Sequence, residues 1–185
     1  MKPSGFLSEN DPFSRTDYHY FIRMFNLTRY ILLVSFLGSQ SVHAQTATVI
    51  KFEKLESILT AKSDQILVIN FWATWCGPCV KELPLFEALN GKNDPAIRVT
   101  LINLDYQDQA DKVNAFIARK KIRSEVLLLD EIDYNSWIDR VDPSWQGAIP
   151  ATLLLNAKTG QRKFIEKEIS KGELELYIQE VRTGL

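Results

Sequence analysis

The alternation of apolar and polar positions predicts the order of helices and strands. Residues 50–61 repeat apolar side chains at helical spacing, in a stripe formed by Phe52, Leu55, Ile58 and Leu59. Residues 65–72 form a nearly continuous apolar run, which is typical of a strand covered on both faces. A helix should begin within residues 76–79 and continue to about residues 90–91, with a kink at Pro84.

The second part of the chain continues this alternation. Residues 97–104 predict a strand, and Asp108 can cap a helix that ends at Lys120, with Val113, Phe116 and Ile117 directed inward. Residues 125–129 predict a short strand, and residues 134–141 predict a short helical insert.

The C-terminal pattern predicts a hairpin and a last helix. Residues 151–155 and 162–169 flank Asn-Ala-Lys-Thr-Gly, a turn sequence. Ser170-Lys-Gly-Glu173 has the spacing of a capping box, which should open a helix to about Arg182. Strands that alternate with helices, followed by a hairpin, indicate an α/β fold with a central mixed sheet flanked by helices.

Composition and charge limit the classes of function. The chain has 185 residues, 45% of them hydrophobic, which suits one domain with one sizeable core. Its formal net charge is −1, so electrostatic attraction to phosphate backbones is lacking. We therefore expect no binding to nucleic acid.

The N-terminal region has the layout of a secretory signal peptide. Residues 30–38 are an apolar run that follows Arg23 and Arg29, and Val42 and Ala44 provide small residues for cleavage. We expect residues 1–44 to be an N-terminal extension and signal, with Met24 the more natural start, and residues 45–185 to be the folded domain. Export to the periplasm or another extracytoplasmic compartment follows, with an uncleaved N-terminal anchor as the alternative.

The two cysteines are the strongest chemical signal. Cys76 and Cys79 are the only cysteines, and both histidines, His19 and His43, precede the predicted cleavage site. Cys76 lies between a strand end and a helix start, where unpaired N–H groups and the helix dipole stabilise a thiolate. Cys79, one turn later, should be the resolving thiol. The alternatives are a purely structural disulfide and a zinc site, which would need two further ligands.

The segment around the cysteines resembles a known family. Phe-Trp-Ala-Thr-Trp-Cys-Gly-Pro-Cys at residues 71–79 is similar to the thioredoxin superfamily, and Val-Lys-Glu-Leu-Pro at residues 80–84 narrows the similarity to its extracytoplasmic TlpA/ResA-like branch. The similarity extends from about Phe52 onward. It implies a thioredoxin fold and thiol-disulfide oxidoreductase activity, and the dipeptide Gly77-Pro78, which is found in reducing thioredoxins, favours a reductase over an oxidase.

The resemblance also directs attention to a proton-exchanging group. Thioredoxin-like proteins commonly place a buried carboxylate and a lysine near the second cysteine, and the matching positions here are Asn70 and Leu101, neither of which can exchange a proton. Glu82 lies three residues after Cys79, on the same helical face, and matches a glutamate of the extracytoplasmic branch. We predict that Glu82 is the acid/base for Cys79; an ordinary solvated helix glutamate is the alternative.

A second element of the site is Ile149-Pro150, which precedes a strand where the superfamily holds a cis proline against the dithiol. The backbone of Ile149 would then lie beside Cys76 and bind an extended substrate segment. The predicted substrate-binding residues are Trp75, Gly77, Pro78, Ile149 and Pro150. Phe71 and Trp72 should be core residues, whereas Trp137 and Trp145 fit either a substrate-facing wall or a buried cluster. The charged residues between Lys163 and Lys171 are interpreted as a solvated edge.

The implied partners are disulfide-containing exported proteins, apocytochrome c among them, and a membrane thiol electron donor. We expect a monomer without cofactor or metal. A copper-delivery module and a redox-inert binding module remain alternatives on the same fold, although the first normally adds a histidine to the cysteine pair. A thiol peroxidase would need a Thr-Pro-x-x-Cys motif, which the sequence lacks.

Overall fold

A buried strand lies inside the sheet of the computed structural model, which describes residues 45–184. This strand, β2 (Ile66–Trp72), is buried at every position. It pairs in parallel with β3 (Ile97–Asn103) and antiparallel with β5 (Ala151–Asn156). Because both faces of β2 are covered, its sequence is apolar at every position except Asn70 instead of alternating, in agreement with the predicted nearly continuous apolar run.

Three further strands complete a mixed six-stranded sheet in the order β1-β4-β3-β2-β5-β6. They are β1 (Thr48–Ile50), β4 (Glu125–Leu129) and β6 (Arg162–Ile165). β1, β4, β3 and β2 are mutually parallel, whereas β5 and β6 form the antiparallel hairpin. The sequence did not predict β1, since three residues are too few for a periodic pattern. The second arm of the hairpin ends at Ile165, not at Ile169 as predicted.

Within residues 45–184, five α-helices cover the two faces of the sheet. They are α1 (Phe52–Thr60), α2 (Gly77–Asn90), α3 (Ala110–Lys120), α4 (Ile138–Val141) and α5 (Glu173–Thr183). Buried side chains of α2, α3 and α5 pack with Val68 and Trp72 on one face, while those of α1 and α4 pack with Ile69 and Phe71 on the other. The mixed sheet flanked by helices, predicted from the sequence, is confirmed.

Two predicted helix caps are wrong. Asp108 lies inside a single 3-10 turn (Gln107–Gln109), and α3 begins at Ala110 without a side-chain cap. The last helix begins at Glu173, and its cap is Gly172, whose φ of +93° favours glycine. The Glu173 carboxylate accepts the Ser170 N–H at 2.7 Å, which is half of a capping box, but the Ser170 hydroxyl donates to the same carboxylate and caps no helix N–H.

The insert before Pro150 contributes aromatic residues to the core. Trp137 is 1% exposed and Trp145 is 4% exposed. Phe71 stacks on Trp137 and lies 4.5 Å from Trp145, centroid to centroid. These contacts favour the buried-cluster interpretation of the two tryptophans over a substrate-facing wall.

The predicted signal peptide, its cleavage after Ala44 and the start at Met24 lie outside the described residues. Within residues 45–184, none of the helices has the length and apolar character needed to cross a bilayer.

Candidate active site

The two cysteines lie where β2 ends and α2 begins. They form a disulfide with their Cα atoms 5.3 Å apart. Cys76 is the N-cap of α2, and its Sγ accepts the N–H of Cys79 at 3.3 Å. Cys76 is 6% exposed and Cys79 is completely buried. Cys76 is therefore less open than the sequence indicated, but of the two cysteines it alone reaches solvent.

A buried carboxylate fixes the turn before Cys76. Asp105 follows β3 and is 3% exposed. Its two oxygens accept the backbone N–H and the hydroxyl of Thr74, both at 2.7 Å, and the amide of Asn103 at 2.8 Å. These bonds join the loop after β2 to the loop after β3. Sequence reasoning missed Asp105, although Asn-Leu-Asp at a strand end is a signal for such a turn.

Glu82 is buried on the inner face of α2 with an exposed fraction of 1%. One carboxylate oxygen accepts the side-chain amide of Asn70 at 2.8 Å, and the other accepts the backbone N–H of Ile169 at 2.7 Å. Glu82 lies one helical turn beyond Cys79, about 4.5 Å further along the axis. The alternative of a solvated surface glutamate does not agree with this burial.

Burial raises the pKa of Glu82 from 4.5 to about 7. Desolvation of the carboxylate is the largest cause, and the hydrogen bonds from Ile169 and Asn70 oppose it by stabilising the charged form. The neighbouring carboxylate of Glu168, which pairs with Lys81 at 2.6 Å, raises the pKa of Glu82 further. The group can therefore take up or release a proton near neutral pH.

Asn70 takes part in the site as a hydrogen-bond donor. The sequence indicated that Asn70 could not exchange a proton, and its contact with Glu82 was not foreseen. Its Nδ2 also lies 3.0 Å from the Thr152 hydroxyl and 3.3 Å from the Ala151 carbonyl. Leu101, the other matching position, is fully buried among apolar residues.

The other wall of the site is the turn that ends at Pro150. The Ile149–Pro150 peptide bond is cis, as the sequence predicted. The carbonyl oxygen of Ile149 lies 3.8 Å from Sγ of Cys76. The backbone of Ile149 thus faces the sulfur of the more accessible cysteine.

The segment after β6 contacts the site and is not simply a solvated edge, which corrects the interpretation of residues 163–171. Ile169 is 1% exposed and donates its N–H to Glu82. Glu166 accepts the backbone N–H groups of Gln146 and Ala148, in the turn before Ile149. Charged residues in a strand-to-helix connection gave no sequence signal for these long-range contacts.

The remaining predicted site residues surround the dithiol. Trp75 is 66% exposed, and Gly77 and Pro78 are exposed as well. Phe71 and Trp72 are completely buried core residues. Within residues 45–184, no three histidine, cysteine, aspartate or glutamate side chains are grouped to bind one metal ion.

The sequence is similar to thioredoxins and to thiol-disulfide oxidoreductases. Residues 46–123 match the thioredoxin family. Sporulation thiol-disulfide oxidoreductase A of Bacillus subtilis is 27% identical over 143 residues, which cover 71% of this chain and 83% of that protein. Thiol-disulfide oxidoreductase ResA of Bacillus cereus is 32% identical over 116 residues, which cover 61% of each protein.

A solved structure supports the fold. The thioredoxin-related protein from Neisseria meningitidis serogroup B superposes with a TM-score of 0.57 at 20% identity, covering 78% of this chain and 93% of that one. Some sequence matches are partial, since the chain spans only 48–61% of the length of two thioredoxins and of the thioredoxin-like protein YneN.

Replacement of Glu82 by glutamine tests the raised pKa through stability. A carboxyl group with a pKa of about 7 in the folded protein and 4.5 when unfolded makes the protein less stable as pH rises through that interval, because the folded state then binds more protons. As pH rises from 4.5 to 8, the free energy of unfolding of Glu82→Gln should therefore increase relative to that of the original protein by up to about 3 kcal/mol. Urea unfolding of the disulfide form, in which neither cysteine titrates, measures the difference.

The control for this measurement is Glu173→Gln. Contacts with Lys167 and Ser170 lower the pKa of Glu173 from 4.5 to about 2, so above about pH 5.5 its carboxyl group is ionised in both the folded and the unfolded state. The stability of this variant relative to the original protein should stay constant between about pH 5.5 and 8, where the difference for Glu82→Gln still changes. Parallel profiles for Glu82→Gln and the original protein would contradict a raised pKa for Glu82.

Proposed function

The chain is a thioredoxin-fold protein related to the TlpA/ResA-like thiol-disulfide oxidoreductases, and we propose that it reduces disulfides of exported proteins by dithiol exchange through Cys76 and Cys79. The observation on which the proposal depends is the Cys76–Cys79 disulfide at the start of α2, with a buried carboxylate one turn further along. The proposed extracytoplasmic location of the protein depends on the signal-like segment before residue 45.

The proposed reaction has two exchange steps. In the reduced protein, the thiolate of Cys76 attacks one sulfur of the substrate disulfide; a mixed disulfide forms, and the other substrate sulfur leaves as a thiolate that takes up a proton. Cys79 then attacks Sγ of Cys76, which breaks the mixed disulfide and releases the second substrate thiol. Two electrons pass to the substrate, and the protein is left with the Cys76–Cys79 disulfide.

Glu82 serves the second step in this proposal. Cys79 is completely buried, so it needs a neighbouring group to accept its proton before it attacks. Glu82 is the carboxylate one turn away, and a pKa of about 7 lets it accept that proton at neutral pH. Negative charge on Glu82 also disfavours the thiolates, so the titrations of the three groups are coupled.

The substrate surface in this proposal consists of Trp75, Gly77, Pro78 and the backbone of Ile149 beside Pro150. The exposed ring of Trp75 and the Ile149 carbonyl near Cys76 suit an extended polypeptide that presents a disulfide. Regeneration of the dithiol needs a reductant, for which we propose a membrane thiol donor. Apocytochrome c fits the substrate class as an exported protein whose cysteines must be reduced.

Mixed-disulfide trapping tests the assignment of the two cysteines. Cys79→Ala should accumulate a covalent complex with a disulfide-bonded protein, because the resolving thiol is absent, whereas Cys76→Ala should accumulate none. Non-reducing electrophoresis and mass spectrometry detect the complexes. Trapping by Cys76→Ala alone would reverse the roles.

The reduction potential of the Cys76–Cys79 couple tests the direction of electron flow. A reductase with Gly77-Pro78 between its cysteines should equilibrate with reference thiols near the thioredoxin value, about −270 mV. A value near that of strong oxidants, about −120 mV, would identify an oxidase and contradict the proposal.

The rate of the second step tests Glu82. In the original protein this rate should rise with pH through about 7, as Glu82 ionises and becomes a base. Glu82→Gln should lose this rise, slow the release of substrate by about a hundredfold and lower the apparent thiol pKa values. Rapid-mixing kinetics from a preformed mixed disulfide, measured across pH, give both quantities.

The matched control is Glu87→Gln on the same helix. Its carboxylate accepts the N–H groups of Arg123 and Ser124, at 2.7 Å and 3.1 Å, instead of groups near the disulfide. The pH profile of this variant should equal that of the original protein. If Glu82→Gln also retains that profile, Glu82 is not the base.

A further inference from the structure

Glu166, the first residue after β6, holds the turn that leads to Ile149. Its carboxylate accepts the N–H of Ala148 at 2.7 Å and the N–H of Gln146 at 3.1 Å. These two amides belong to a turn outside the helices and strands, so ladder hydrogen bonds do not satisfy them. One side chain from a different part of the chain therefore determines where this backbone lies.

The form of the turn explains why a carboxylate suits this position. Gly147 has a φ of +91°, which turns the chain so that the amides on either side of it reach the same acceptor. The indole N–H of Trp145 donates to the Ala148 carbonyl at 2.9 Å and anchors the turn to the aromatic core. A carboxylate has two acceptor oxygens, so Glu166 can accept both amides at once and stabilise this conformation of the turn.

The held backbone is directly next to the group that faces the dithiol. Ala148 precedes Ile149, whose carbonyl oxygen is 3.8 Å from Sγ of Cys76. The same connection, residues 166–169, also reaches Glu82 through the N–H of Ile169. The hydrogen bonds of Glu166 go to the amides of Gln146 and Ala148, which lead directly to Ile149, and the first exchange step at Cys76 does not use Glu82.

We propose that Glu166 is a positioning residue for polypeptide substrates, because it holds residues 146–149 where the backbone of Ile149 can pair with an extended segment beside Cys76. The inference rests on the proposed function and adds a distinction between substrates. A polypeptide disulfide needs both the sulfur of Cys76 and the backbone of Ile149, whereas a small disulfide needs only the sulfur. Loss of Glu166 therefore affects the first class and spares the second.

The experiment measures the first exchange step in the full chain with Cys79→Ala, which stops the reaction at the mixed disulfide. Second-order rate constants are measured by mass spectrometry with 2-hydroxyethyl disulfide, which has no peptide group, and with insulin as the polypeptide disulfide. Adding Glu166→Ala should lower the insulin rate about tenfold and leave the 2-hydroxyethyl disulfide rate unchanged. Glu166→Gln retains one acceptor oxygen, so it should restore most of the insulin rate.

The matched control is Glu173→Ala, which removes another carboxylate that accepts a backbone N–H, that of Ser170 at 2.7 Å. Both of its rates should equal those of the parent. The positioning role would be overturned if Glu166→Ala reacted as fast as its Cys79→Ala parent with both disulfides. It would also be overturned if Glu166→Ala lost the same fraction of the rate with both disulfides. If the parent itself reacts with neither disulfide, the proposed function fails, and the inference falls with it for that separate reason.

Discussion

The site depends on a carboxylate held in a place that water does not reach. Glu82 is 1% exposed, and burial of an unpartnered carboxylate would be costly. Two donors reduce that cost: the amide of Asn70 from β2 and the N–H of Ile169 from the β6–α5 connection. One side chain of α2 thus joins three separate parts of the chain, and incomplete compensation leaves its pKa near neutrality.

Two further carboxylates fix the backbone on either side of the disulfide. Asp105 binds Thr74, two residues before Cys76, and Glu166 binds Ala148, one residue before Ile149. Each accepts a backbone N–H at 2.7 Å. Each carboxylate therefore holds a loop by its main chain, which is present whatever side chain the loop residue carries. Each exchange step requires the attacking sulfur, the attacked sulfur and the leaving sulfur to lie nearly in line, and a rigid backbone around the disulfide favours that alignment.

Sequence patterns predicted the parts of the molecule that local interactions determine. β2 is a nearly continuous apolar run and α2 has a proline in its first turn, and Cys76 at their junction followed from these two elements. β1 and the functional contact of Glu166 were missed, because they depend on partners far along the chain: Thr48 pairs with Leu127, and Glu166 binds Gln146. The wrong cap at Ser170 has a local cause: Gly172, two residues later, adopts a left-handed conformation and is the N-cap instead.

Asn70 illustrates why an amide suits a position next to a titrating acid. Its Nδ2 donates to the ionised form of Glu82, and no donor among residues 45–184 reaches its Oδ1. Rotation of the amide by a half turn would exchange these two atoms, so that Oδ1 could accept a hydrogen bond from the O–H of the neutral acid. An aspartate at position 70 would place a second negative charge beside Glu82. A leucine there would leave one carboxylate oxygen of Glu82 without the donor that Asn70 provides. An asparagine therefore suits both protonation states of Glu82, which the proposed acid/base role requires it to occupy in turn.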